Sequence, residues 1–308
     1  MSSSGHRYAG FNLTKTKLQV SEVAVVNNEI NLVNVDEVYL NEEINFERDK
    51  VSKIGALLQS AYQELQLNSS INPNYISFCL PLELFSIIQL PLDNRISYQE
   101  AVEDLKIQYK ILFPFRDEKL NVHYYKVEPN QFNKYTEAIA FGIEEQYLSL
   151  IENFAQNNQL KLLYIDNPLT ASIVSVNSSN SVLCKGYYLI IYLEKNIAAY
   201  CLNNGNKAIK IKSFYYNRIG DLPEILNKEF NSEIFSKINS DSIDSSFITG
   251  DDISSNLVSL LRKSLNIDFI MFNPFDKLKV SQELFENKSY LKKYNSFAAS
   301  LGIALRVN

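Results

Sequence analysis

Apolar residues recur at alternate positions through residues 10 to 40: Leu18 and Val20, Val23 and Val25, Ile30 and Leu32, Val38 and Leu40. Period two marks strands with one apolar face. Asn27-Asn28 interrupts the run as a hairpin turn does. The period then changes. Val51, Ile54, Leu58, Ala61, Tyr62 and Leu65 fall on one side of a helix over Val51–Leu67. The stretch "INPNYISFCLPLELFSIIQLPL" predicts two short strands cut by Pro81 and Pro91. A second amphipathic helix follows in "YQEAVEDLKIQYKILFPF", with Val102, Leu105, Tyr109 and Leu112 in line. It should stop before Pro114, because the residue preceding a proline avoids helical angles.

Strands are expected at Leu120–Val127 and Glu137–Ile143, a helix at Glu144–Gln156, and a strand at Lys161–Ile165. The polar run "SVNSSNSV" (175–182) reads as a linker. After it the opening pattern restarts: "GYYLIIYLEKNIAAYCLNNGNKAIKIKSFYYNRIG" is strand, turn, strand, Asn-Asn turn, strand. This is an internal repeat. Helices are expected at Leu222–Ile238 and Asn256–Leu265, with the strand "SSFITGDD" between them. The chain closes with "NIDFIMFNPF" and one helix through Tyr290, Tyr294, Phe297, Leu301 and Ala304. Two halves, each opened by a β-meander and completed by helices, predict a duplicated α/β architecture with a cleft between lobes. Residues 80–160 carry their own α+β pattern and should form an inserted subdomain.

Composition narrows the function. The 308 residues are 46% apolar and 21% charged, as in globular chains. No apolar run approaches 18 residues, and the N-terminal stretch has no signal-like apolar core. The net charge of −5, with no basic block, argues against nucleic-acid binding. Cys79, Cys184 and Cys201 lie in strand-like runs without metal spacing, as buried free thiols would. His6 and His123 are far apart, and His123 sits in the strand pattern "LNVHYYKV"; nothing supports a Ser-His-Asp or Cys-His site. The acidic runs "SDSIDSS" and "GDDISSN" lack the spacing of a calcium loop and read more simply as helix caps. Glycine is scarce: nine residues, roughly half the average usage of about 7%. None sits in a G-x-G pair, so neither a Walker loop nor a dinucleotide fingerprint is present.

"NIDFIMFNPF" followed by "YNSFAASLGIALR" resembles the end of the PilM family of type IV pilus assembly, actin-like proteins related to FtsA. The shared pieces are Asn273-Pro274-Phe275 after a strand and the small-residue ending Gly302-Ile303-Ala304-Leu305-Arg306. "AVEDLKIQYKILFPFRDEKLNVHYYKV" and "EEQYLSLIENFAQNNQLKLLYIDNPLTASI" are similar to two middle passages of that family. The resemblance covers nearly the whole chain. It implies an actin-like (ribonuclease H-like) fold: lobe 1A over 5–80, an FtsA-type 1C insertion over 81–160, a return to 1A and a linker over 161–186, a second lobe over 187–290, and a C-terminal helix over 291–308. It implies a cytoplasmic protein, peripheral at the inner membrane, that binds the tail of a bitopic PilN-like protein. Contacts with motor ATPases and self-association are further expectations. The cytoplasmic domain of GspL is a relative.

In actin-like proteins two strand-turn-strand clamps hold Mg-phosphate, each with an Asp and a Gly. Their positions match Asn12-Leu13-Thr14 and Tyr192-Leu193-Glu194, where all four are missing. The adenosine turn matches Thr249-Gly250-Asp251, and Gly220 stands for a second glycine site. Lys15 and Lys17 are either replacement phosphate ligands or solvated turn residues, and the loss of the metal carboxylates favours the second. The expectation is a pseudo-ATPase scaffold with no cofactor. An ATP-binding protein with an unusual clamp and a sugar-kinase-like enzyme of the same fold are the alternatives. By the same resemblance the partner tail docks near the 1A–1C junction, with Leu80, Pro81, Leu90, Pro91, Leu112, Phe113 and Phe115 as candidate lining residues.

Overall fold

The structure, a computed structural model, describes residues 6–27, 29–69, 71–113, 119–179, 184–230 and 243–306. The repeat in the sequence is a repeat in topology. In the first half, β1 (His6–Leu13), β2 (Lys17–Val26) and β3 (Glu29–Tyr39) form an antiparallel meander. Helix α1 (Val51–Ser69) returns the chain to β4 (Tyr75–Cys79), parallel to β1. The insertion follows: β5 (Ser86–Pro91), α2 (Tyr98–Leu112), β6 (Leu120–Val127) and β7 (Glu137–Glu144). Helix α3 (Glu145–Asn157) leads to β8 (Lys161–Asp166), parallel to β4, and then to α4 (Pro168–Ser179).

The second half repeats this plan. Strands β9 (Tyr187–Glu194), β10 (Ile197–Asn204) and β11 (Lys207–Tyr215) are again an antiparallel meander. Helix α5 (Leu222–Phe230) precedes β12 (Ser245–Gly250), which lies parallel to β9. Helix α6 (Ser255–Leu265) precedes β13 (Ile270–Met271), parallel to β12. The sheet orders β3-β2-β1-β4-β8 and β11-β10-β9-β12-β13 are the same arrangement built twice. Strand β14 (Lys279–Val280) then adds to β3, so the chain returns to the first sheet before α7 (Lys288–Lys292) and α8 (Ala298–Ala304).

Scarce glycine has a structural counterpart. The left-handed turn positions are taken mainly by other short polar residues: Asn27 ends β2, Asn196 turns β9 into β10, and Asn266 caps α6. Asparagine tolerates positive φ because its side chain bonds locally.

Each sheet has an outer face under helices. Phe11, Leu13 and Phe78 of the first sheet pack on Ile54, Leu58 and Tyr62 of α1 and on Ile151 and Phe154 of α3. Leu189, Ile191 and Ile248 of the second pack on α5 and α6 through Leu222, Leu226, Leu257 and Leu261. Between the sheets run α4 and α8, in a core shared with Tyr188, Ile190, Tyr192 and Phe247. Every residue of α8 is buried. A helix buried on all sides must be apolar or small all round, and "AASLGIA" is.

Two pattern-based expectations change, and a third is described only in part. The run 175–182 is not a free linker: Ser175–Ser179 are the last turn of α4, and Ser175, Val176 and Ser179 are buried, while 180–183 lie outside the described residues. The serines are small-residue contacts rather than solvated linker. Ser172 Oγ donates to Pro168 O at 2.7 Å. The start of this helix was legible in Asn167-Pro168: Asn167 Oδ1 accepts from Thr170 N at 2.9 Å, with proline at the first helical position. The closing helix is also not continuous. It breaks after Lys292 into a 3-10 turn over Tyr294–Ser296 and then α8. At the break Ser296 Oγ accepts from Gln19 Nε2 at 2.8 Å, and Asn295 O accepts from Thr249 Oγ1 at 2.5 Å. Both contacts occupy backbone and side-chain groups that a straight helix would turn away. The helix expected over Leu222–Ile238 is described only to Phe230; the rest lies outside the described residues.

The insertion is a three-stranded antiparallel sheet, β5-β7-β6. One face is closed by α2, where Leu105 and Tyr109 meet Val122, Ala138 and Ala140. A capping box opens α2, Ser97 exchanging bonds with Glu100. All three cysteines are buried free thiols as expected, Cys79 and Cys201 on strands and Cys184 in a turn ahead of β9. Among the described residues no helix is long and apolar enough to cross a membrane.

Candidate functional site

The two clamp positions face each other across the lobes, and their side chains are in contact. Asn12, buried at the end of β1, donates from Nδ2 to Gln19 Oε1 at 3.2 Å and to Tyr192 Oη at 3.3 Å. The Tyr192 ring, buried on β9, thus spans the space between the strand ends. Thr14 turns inward: its Oγ1 accepts from Lys17 N at 3.2 Å and so closes its own turn.

The lysines are neither solvated nor free. Lys15 pairs with Glu83 at 2.6 Å. Lys17 is buried and pairs with Asp251 at 2.7 Å and Glu37 at 3.2 Å. This corrects the reading of both as solvated turn residues. Burial alone would lower the Lys17 ammonium, but Asp251 and Glu37 carry it above its ordinary value. Burial opposes ionisation of Glu37 as well, and Lys17 and Lys293 outweigh it and hold that carboxyl low. For Asp251 burial wins over Lys17, and its carboxyl stands raised. Glu37 also binds Lys293, and Lys195 in the β9–β10 turn reaches Glu43 at 2.5 Å. Lys17, Lys195 and Lys293 are therefore matched by carboxylates, two of the pairs crossing the lobe boundary, while Lys292 and Asp252 of the same region have no ion-pair partner among the described residues.

Glu194 is buried and also stands outside these pairs. Its Oε2 accepts from Leu82 N at 3.2 Å, and its Oε1 is buried with no partner. Burial, reinforced by the Asp251 charge, pushes the carboxyl well above its usual range. A raised acid contributes stability that is fully present below its unfolded pKa and is lost as pH rises through the folded value. Glu194→Gln removes that penalty. The variant is expected to gain on the order of 1 kcal/mol at pH 8 and little at pH 4, read from urea melts at both pH values; equal shifts at both would contradict a protonated Glu194.

Gly250 ends β12 at φ +112, where a Cβ would stand 2.1 Å from Leu193 O. Only glycine lets this strand end pass so close to the second clamp. Beside it lies a cavity of about 480 Å³ that brings together Lys17, Gly250 and Asp251 with Tyr39, Lys195, Lys292 and Lys293. Asn12, Thr14, Lys15, Glu194 and Thr249 do not line it. Gly220 sits in a 3-10 turn, Ile219–Asp221, with open space around it and away from this cavity. Glu37, Lys195 and Lys293 were not legible as site residues: Lys293 joins Glu37 from 256 positions away, beyond any sequence spacing rule. Among the described residues no group of three or more His, Cys, Asp or Glu side chains could hold a metal.

A second site lies on the far side of the first lobe. Strand β8 is the edge of its sheet, and the face of the inserted sheet not covered by α2 turns toward it. Alternation places Asn121, His123 and Tyr125 of β6 and Phe141 and Ile143 of β7 on that face. Between them is an open groove of about 520 Å³, floored by Phe85 and Leu148 and walled by Leu162–Asp166. His123 Nδ1 lies 2.8 Å from Tyr98 Oη, and burial lowers its basicity. Arg306 closes one end, with Nη2 at 2.5 Å from Asp166 Oδ2. Of the candidate lining residues, Leu80 and Pro81 are buried, Leu90 and Phe113 pack under α2, Pro91 and Leu112 are exposed, and Phe115 lies outside the described residues. None of the six described ones lines the groove. The odd-numbered positions of β6 and β7 line it instead, a set that follows from strand parity once the covered face is known.

No family model and no curated protein sequence matches the chain. Solved structures do. A PilM-PilN type IV pilus biogenesis complex superposes at TM-score 0.71 with 16% identity, over 97% of this chain and 98% of that one. A Bacteroides thetaiotaomicron protein with actin-like ATPase fold superposes at 0.53 with 15% identity, over 89% and 93%. The fold is actin-like. The ethanolamine utilization protein EutJ of Carboxydothermus hydrogenoformans superposes at 0.50 with 6% identity, over 97% and 89%. At these identities the likeness is one of fold.

Proposed function

We propose that this chain is a non-catalytic scaffold of a type IV pilus or related secretion machine. It works at the cytoplasmic face of the inner membrane by holding the cytoplasmic tail of a PilN-like bitopic protein. The observation that carries this is the open groove between β8 and the inserted sheet, where apolar side chains such as Phe85, Phe141 and Leu163 alternate with polar ones, a lining that suits an extended peptide. The full-length likeness to a PilM-PilN complex supports the same partner class. The test is fluorescence anisotropy with a labelled peptide of the tail of the bitopic protein encoded beside this gene. Saturable binding is expected. Leu163→Asp, on the exposed edge strand, should weaken it at least about tenfold. A tail that does not bind sinks the proposal.

The non-catalytic part rests on the cleft. A metal-bound phosphate would meet the Tyr192 ring, the Glu194 carboxyl and lysines already matched by carboxylates. The ring and the carboxyl do not fit an anion, and among the described residues no group of three or more His, Cys, Asp or Glu side chains gathers there to hold its metal. Isothermal titration with Mg-ATP should give no binding heat. The alternative, an ATP-binding protein with an unusual clamp, would use the cavity beside Gly250. Micromolar affinity that disappears in Lys15→Ala/Lys17→Ala would establish it.

A further inference from the structure

We propose that the segment held in the β8 groove continues past Arg306 into a second cavity and so touches both lobes, offering a basic residue to Glu152 and an acidic one to Lys207. The inference rests on the groove reading above and adds the length, charge order and second contact of the segment.

The first support is continuity. A cavity of about 390 Å³ lies between β6, α4 and the β10–β11 hairpin of the second lobe. Tyr125 and Arg306 line both it and the groove, so one leads into the other. Its lining is largely apolar, with Ile173, Val174, Ala208 and Ile211. The inserted subdomain already meets the second lobe beside this path: Gln89 Nε2 donates to Ile209 O at 3.1 Å. An extended chain advances about 3.3 Å per residue, so two or three residues cross a neck the width of one arginine.

The second support is charge. At the neck Arg306 and Asp166 neutralise each other, and at the second cavity Lys126 is matched by Glu128 at 3.0 Å. Glu152 stands exposed at the far end of the groove, and Lys207 stands exposed at the rim of the second cavity. Among the described residues neither has an ion-pair partner. What remains for a ligand is one negative charge at one end and one positive charge at the other. That order also fixes the direction of the segment. Because Leu163 belongs to the first lobe and Lys207 and Ala208 to the second, the segment would sense how the lobes sit.

The same labelled tail peptide tests this on the full chain. Ala208→Trp fills the second cavity and should weaken binding about tenfold. Lys207→Glu, fully on the surface, should weaken it roughly threefold to tenfold, with the effect shrinking at high salt. Wild-type affinity in both, with Leu163→Asp still impaired, overturns the extension and leaves the groove reading intact. Wild-type affinity in Leu163→Asp overturns both. Circular dichroism melts check folding; if Ala208→Trp does not fold, Lys207→Glu and the exposed Asn206→Trp decide in its place.

Discussion

Gly302→Val is expected to leave little folded protein. A Cβ at residue 302 would stand 1.8 Å from Ala171 O and 2.6 Å from its carbonyl carbon, inside the backbone of α4. Helix α8 has nowhere to retreat. On its other side, Gly10 of β1 lies so close that a Cβ there would meet Ser300 O at 1.9 Å, and Ser21 Oγ holds Ser300 Oγ at 2.7 Å. The helix is clamped between another helix and a strand, both by backbone. The cost should be on the order of 3 kcal/mol or more, beyond the usual range for overpacking a side chain. The sharper test is Gly302→Ala. In an unobstructed helix that change stabilises by about 1 kcal/mol. Here it should destabilise, and a stabilised Gly302→Ala in urea melts would refute the contact.

Lys17→Met should cost about 3 kcal/mol, since it leaves the Asp251 carboxylate unpaired at the lobe boundary. Asp251 loses its only ion-pair partner among the described residues, while Glu37 keeps Lys293. The loss should therefore be largely recovered in Lys17→Met/Asp251→Asn, and a double-mutant cycle between the two should show coupling of more than about 1 kcal/mol. The pH dependence follows from the directions of the shifts. Glu37, held low, contributes stability that is present above its unfolded pKa and lost as pH falls through the folded one. Lys17, held high, contributes stability present below its unfolded pKa and lost as pH rises through the folded one. Asp251, raised by burial, offsets part of this as pH climbs past the carboxylate range. The pair should thus stabilise most between acid and strongly alkaline pH. Lys17→Met should flatten both arms of the profile. Unchanged arms would show that the contact contributes nothing to folding.

Both predictions concern contacts that hold the molecule's middle together, and they differ in how far the sequence announced them. Strand and helix positions in both halves were readable from periodicity, because each outer face packs on helices in the ordinary alternating way. The restart at residue 187 was readable because the same meander must bury the same face twice. The central helix α4, for which no helix was expected, and the break before α8 were not. Serines at 175 and 179 look like linker because their polarity is visible and their smallness is not. Their role depends on a glycine more than 120 positions away in sequence. The cleft shows the same limit. Asn12 and Tyr192 could be matched to clamp positions one at a time, but their contact exists only when the lobes close.

What the sequence by itself determined, then, is the local and repeated part: two meanders with their helices, an inserted α+β unit, and turns built on asparagine where glycine is scarce. These follow from side-chain period and backbone propensity, which act within a few residues. Tertiary structure alone decided the polar face of the second strand. Gln19 and Ser21 alternate with apolar residues as solvent-facing positions do, yet both are buried. They are covered by Ser296 and Ser300 of the returning C-terminal segment, and they bond to it. Alternation tells which residues share a face; it cannot tell whether water or another part of the chain will cover that face, because that depends on where residues almost 280 positions away come to lie.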